Sequence, residues 1–191
     1  MTAQLDTLRV PAGTWAVSDS RTRVRFTVSN FGRAVHGSVA CSRGELQIDD
    51  GGNPVRVRAD LDLDSLDTGI AKRNSDLRKP HFLDIDRQPT MVWSAERFSR
   101  EADGGWRADG QLCVRGTSTP LVVTGAPEAA SLEGDWVRVR AHGVLDRTAV
   151  GIRAPRFLIG RTVGIEIDAW LTPSRPDLAA GPLRSRTTMQ A

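Results

Sequence analysis

The chain has 191 residues, enough for a single domain whose core needs no disulfide or metal staple. Its 26 basic and 23 acidic residues leave a net charge of only +3, so the pI near 9.5 reflects a small imbalance, and nucleic acid is excluded as an expected partner. Two cysteines far apart, Cys41 and Cys113, read as free thiols in a reducing compartment, and no run approaches the ~20 apolar residues of a membrane span.

Residues 1–12 show no sustained period and read as a loose arm; they also lack the basic and apolar regions of a secretion signal, so a cytoplasmic protein is expected. From Gly13 a period of two begins. Thr14 to Val17 and then Val24, Phe26 and Val28 alternate with polar neighbours around the turn-prone Ser18-Asp19-Ser20, which predicts a hairpin. Val35, Gly37, Val39 and Cys41 share one parity and Leu46 and Ile48 the other, so a glycine-assisted bulge is expected between Ser42 and Gly44. Asp50-Gly51-Gly52-Asn53-Pro54 turns the chain into Val55, Val57, Ala59, Leu61 and Leu63, which alternate with Arg and Asp.

Between Asp67 or Thr68, either able to cap a helix, and Lys79-Pro80, which ends one, a polar helix of roughly ten residues fits. Ile70 and Leu77 share its face with the polar Arg73 and Asn74, so it is not a core helix. Strands follow over 90–98, over 106–115 with Leu112 and Val114 on the apolar parity and Cys113 on the other, and over 120–125, 136–145 and 162–172. The final strand carries Val163, Ile165, Ile167, Ala169 and Leu171 on one side, and the residues beyond it read as a disordered tail.

Eight or nine long strands separated by turn signals, with one short helix, predict an all-β fold: an extended eight-stranded antiparallel, lipocalin-like barrel. One domain over 13–173 is expected, flanked by the arm at 1–12 and a tail at 174–191. Enzyme signatures are absent from the sequence. His36, His81 and His142 lack metal-ligand spacing, no serine sits in a nucleophile elbow, and Asp60, Asp62, Asp64 and Asp67 read as a solvated acidic face. Five tryptophans without a single tyrosine suit a core with one or two rings along an internal cavity.

The order and spacing of several motifs resemble the YceI-like family of lipocalin-type polyisoprenoid-binding barrels, over nearly all of 13–172. WAVSDSRTRVRFTV resembles its opening hairpin, Gly37 the glycine of its next strand, and Ser65-Leu66-Asp67-Thr68-Gly69 its entry to the helix. Arg73-Asn74, Leu77-Arg78, Phe82-Leu83-Asp84 and Gln88-Pro89 resemble the steps that follow; Asp109 to Gly116 and Gly151-Ile152 resemble later ones. Arg21-Thr22, Asp76 and Leu83 depart from the family's histidine-serine, histidine and second phenylalanine. The resemblance implies a deep apolar tunnel holding an isoprenoid or fatty-acyl lipid, often in the periplasm after signal cleavage.

The expectation is therefore a non-enzymatic barrel that binds one long apolar lipid, with no metal or cofactor. Val24, Phe26, Val28, Leu61, Leu63, Leu112 and Val114 should point inward by parity. Ile70, Arg73 and Leu77 on the helix, with Phe82 and Trp93 flanking it, complete the expected contact set. Two rivals are a small enzyme acting on an isoprenoid-type substrate and a filled-core interaction or stress-response module; homodimerisation stays open.

Overall fold

The computed structural model describes residues 10–152 and 159–174. Nine strands and one helix follow in order: β1 (Gly13–Val17), β2 (Arg23–Asn30), β3 (Arg33–Ile48), β4 (Pro54–Asp67), α1 (Ala71–Arg78), β5 (Thr90–Arg100), β6 (Trp106–Val114), β7 (Thr117–Ala130), β8 (Val137–Asp146) and β9 (Ile159–Pro173). Each strand from β2 onward pairs antiparallel with the next, and β9 returns to pair with β2, so the sheet closes into a barrel. Every described strand is thus paired on both sides, the arrangement that removes sheet edges.

The count of eight holds because β1 and β2 share one stave. Both run antiparallel to β3 and to β9, β1 against their far ends and β2 against the remainder. This corrects the expected β1–β2 hairpin. Residues 18–22 bulge outward instead of reversing, because both ends of the bulge are pinned to one residue of β9: Ser18 N donates to Trp170 O at 2.7 Å and Trp170 N donates to Thr22 Oγ1 at 3.0 Å. Ser18-Asp19-Ser20 does turn the chain, but a turn that returns to the same partner strand makes a bulge.

Alternation then sets the faces. The β3 register shifts between Cys41 and Arg43, and Gly44, Leu46 and Ile48 take over the inward parity, as the sequence predicts. Two groups of buried side chains result: a large one from Val24 and Val39 round to Leu121 and Val123, and a smaller one of Val10, Trp15, Ile48, Val137 and Leu171 near the chain termini. Residues 1–9 of the expected arm lie outside the described residues, but Val10 is buried and Pro11 O accepts from Trp15 Nε1 at 3.0 Å. The expected tail beyond Ser174 also lies outside them.

The two ends of the barrel differ. At one stand α1, the β2–β3 turn and the β6–β7 turn; at the other, the β3–β4, β5–β6 and β7–β8 hairpins. The β2–β3 turn is Phe31-Gly32 with φ of 48° and 74°, the paired left-handed conformation of a tight hairpin. Asn or Gly normally supplies the first position; a phenylalanine there costs roughly 1–2 kcal/mol.

Candidate functional site

The inward faces do not fill the barrel. They enclose a cavity of about 570 Å³ that reaches from Asn30, Arg73 and Arg147 at the helix end to Asn53 and Pro127 at the hairpin end. That volume lies within the ~300–1,000 Å³ of small-molecule sites.

Eleven of the twelve expected contact residues stand in this wall. Val24, Phe26 and Val28 project from β2, Leu61 and Leu63 from β4, Trp93 from β5, and Leu112 and Val114 from β6, with Arg73, Leu77 and Phe82 at the helix end. Ile70 is the correction. The helix begins one residue later, Ile70 is its extended N-cap with φ of −133°, and its side chain is 50% exposed outside the cavity. The i to i+7 relation with Leu77 therefore never forms.

Glycines shape the wall where large rings cross neighbouring strands. A Cβ on Gly110 would come within 2.5 Å of Trp93 Nε1, which donates to Leu121 O at 3.0 Å. The polar end of that indole is thus satisfied inside an apolar wall. Cys41 also lines the cavity; burial pushes its thiol up to about 11, so it stays protonated, whereas Cys113 is exposed. Neither cysteine is in a disulfide.

The helix end is built by specific polar contacts. Ser65 Oγ accepts from Ala40 N at 2.7 Å, bridging the register shift between β3 and β4. Asn74 Oδ1 accepts from both Thr68 N (3.0 Å) and Thr68 Oγ1 (2.7 Å), while Asn74 Nδ2 donates to Asp67 Oδ1 at 2.8 Å. Asn74, aided by the Gly69 amide, holds the Asp67 carboxyl below the usual carboxylate range. Asp67 and Thr68 thus bind a residue in the second turn instead of capping free amides. Arg78 grips Asp64 at 2.8 Å and Asp86 at 2.5 Å, strapping α1 to β4 and to the following loop.

No residue of α1 is buried, as its polarity predicts. The end is closed by side chains that periodicity missed: Leu83 and Ile85 on the loop after α1, Val150, and Arg147. Arg147 is 3% exposed and donates to the carbonyls of Gly160 (2.8 Å), Ile152 (2.7 Å) and Ile159 (2.7 Å). A basic residue just after an alternating strand carried no signal for this role. Arg73 does not pair with Asp76, which Lys72 and Lys79 take at 3.7 and 2.5 Å. Arg73 turns to the cavity mouth instead.

The acidic stripe on β4 is consumed locally: Asp60 takes Arg58 at 2.9 Å, Asp64 takes Arg78, and Asp62 Oδ1 accepts from Asp64 N. His36 and His142 each meet a threonine on the neighbouring strand, Thr27 and Thr124, at 3.0 Å. Among the described residues no helix is long and apolar enough to cross a membrane.

The same architecture recurs in solved structures at low identity. BcnA of Burkholderia cenocepacia superposes with a TM-score of 0.70 at 12% identity, over 81% of this chain and 98% of its own. A polyisoprenoid binding domain from Saccharophagus degradans gives 0.64 at 12% identity, over 84% and 98%. A Campylobacter jejuni YceI protein gives 0.59 at 12%, over 92% and 93%. No curated protein sequence matches the chain. The model of the YceI-like domain matches residues 15–171. With the closed barrel, the inserted helix and that match along almost its whole length, this chain belongs to the YceI-like domain family.

Proposed function

We propose that the protein binds one long apolar lipid, a polyisoprenoid, isoprenoid quinone or fatty-acyl chain, inside the barrel, for carriage, storage or protection. The observation that carries the reading is the cavity of about 570 Å³, walled mainly by aliphatic and aromatic side chains, with Asn30, Arg73 and Arg147 at its helix end. Burying about 20 methylenes at ~0.8 kcal/mol each supplies ~16 kcal/mol gross, enough for tight binding after the cost of lost motion.

The eleven wall residues contact the chain, and Arg73 meets its more polar end at the mouth. Binding without turnover fits best, since the wall's thiol is held neutral and Arg147 is engaged with carbonyls. No metal or other cofactor is part of the proposal. Two free thiols suit a reducing, cytoplasmic setting.

Native mass spectrometry of freshly purified protein tests this. A carried-over lipid adding one defined mass is expected; a bare mass in repeated preparations, with no uptake of added isoprenoid or fatty acid, would overturn it.

A further inference from the structure

One surface of the molecule works against the fold that carries it. Phe31 sits at the tip of the β2–β3 turn in the left-handed conformation, and its side chain is 69% exposed. It takes a position that favours Asn or Gly and buries little in return, so the fold gains from it neither backbone ease nor packing.

Its surroundings suggest what it serves. Phe31 shares a shallow recess with Arg33, Ala34 and Arg73, and the recess abuts the cavity mouth through Asn30, Val35 and Arg73, which line both. Neither arginine forms an ion pair among the described residues, in contrast to Lys72, Arg78 and Lys79 nearby. Ile70, half exposed, is the residue at which the adjacent helix starts.

At the helix end the carboxylates of Asp64, Asp76 and Asp86 are taken by Lys72, Arg78 and Lys79, whereas the tips of the opposite end are acidic. Those three hairpin tips carry Asp49 and Asp50, Glu101 and Asp103, and Glu133 and Asp135, with no lysine or arginine among residues 49–53, 101–105 and 131–136. A negatively charged plane repels those acidic tips and attracts Arg33 and Arg73, which favours the helix end facing it.

We infer that the helix end is a docking surface for an anionic lipid bilayer, with Phe31 entering the acyl boundary and Arg33 and Arg73 meeting lipid phosphates around the cavity mouth. An exposed apolar anchor ringed by uncommitted cations is the chemistry of interfacial binding. It goes beyond the binding reading by naming where an apolar chain could pass between bilayer and cavity; only that transfer step rests on the earlier proposal.

Flotation of the full chain with phosphatidylcholine vesicles, with and without phosphatidylglycerol, tests the docking. The protein should float with the anionic vesicles and come off as salt is raised. Phe31→Asn should lower partitioning about tenfold, the loss of one inserted aromatic side chain, while melting no earlier than the parent. Arg33→Glu should lower it too, and Leu132→Ser, at a hairpin tip of the acidic end, should not. Failure of the parent to float, Phe31→Asn floating like the parent, or loss with Leu132→Ser would overturn the inference. A Phe31-dependent dimer in sedimentation velocity without vesicles would give the surface to a second copy and overturn it as well. Native masses of the same samples separate the two proposals. Protein that floats but carries and takes up no lipid removes the binding reading alone; lipid-laden protein that never floats removes the docking alone.

Discussion

The Phe26 ring lies where a side chain of Gly37 would begin. The two residues are cross-strand partners on the inner face, and a Cβ built on Gly37 stands 2.2 Å from Phe26 Cζ and 2.8 Å from the Asp67 carbonyl oxygen. Gly37→Ala must therefore push the ring across the cavity or shift the end of β4. An expected loss of ~1–3 kcal/mol, together with reduced lipid content, follows from overpacking at this site. Chemical denaturation with an unchanged midpoint and slope would show that the ring moves freely.

Leu77 and Ile85 separate the cavity mouth from the core. Ile85 is 2% exposed, and Ile85→Ala should cost ~2–5 kcal/mol. Leu77 is only partly buried and borders the cavity, so Leu77→Asp should shed lipid while stability falls by less than ~2 kcal/mol. Arg73→Ala should behave likewise. Lipid extraction and denaturation decide it: both variants keeping full lipid content while losing stability would show that Leu77 and Arg73 do not contact the lipid.

Asn74 holds the entry to the helix through three hydrogen bonds to Asp67 and Thr68. Asn74→Ala strands the largely buried Thr68 donors, at a cost of ~1–3 kcal/mol, and should speed exchange of bound lipid. Asn74→Asp should not restore the parent, because it sets a second carboxylate against Asp67. Exchange rates equal to the parent in both variants would remove Asn74 from control of the mouth.

Cys41 and Cys113 should differ in reaction with a thiol reagent at neutral pH, Cys113 fast and Cys41 slow. Burial raises the Cys41 pKa from 9.0 to about 11 on folding. A thiol shifted upward supports the fold fully below its unfolded pKa, and that support drains away as pH rises from 9 toward 11. Stability should fall across that window, and Cys41→Val should flatten the fall. Equal labelling rates, or an identical pH slope in the variant, would contradict the buried placement.

Most of the barrel was legible because a period of two states which side of a strand each residue takes, and one buried face makes that statement unambiguous. Hence Val24, Leu61, Leu112 and the face switch after Cys41 could all be read. What escaped depends on partners instead of period. Residues 18–22 carry turn chemistry that serves a hairpin or a bulge equally well, and only their two bonds to Trp170 make them a bulge. Ile70 was placed by helical spacing one residue before the helix begins. Leu83, Ile85 and Arg147 lie in connections without periodicity, and the carbonyls that offset the cost of burying Arg147 belong to Ile152 and to the start of β9, which no repeating pattern points to.

The meeting of Thr22 with Trp170, 148 residues apart in sequence, has a consequence in time. The stave formed by β1 and β2 must wait for β9 before the ring can shut. At roughly 5–20 residues per second, a ribosome leaves the first stave without its far partner for on the order of ten seconds. During that interval the apolar lining is an open, curling sheet with two bare edges, competent to pair with other chains. Long-range closure of this kind also makes for slow folding. A nascent chain of this barrel is thus at its most adhesive just before completion, and changes that weaken β9 should show first as aggregation during synthesis, before any loss is measurable in the finished protein.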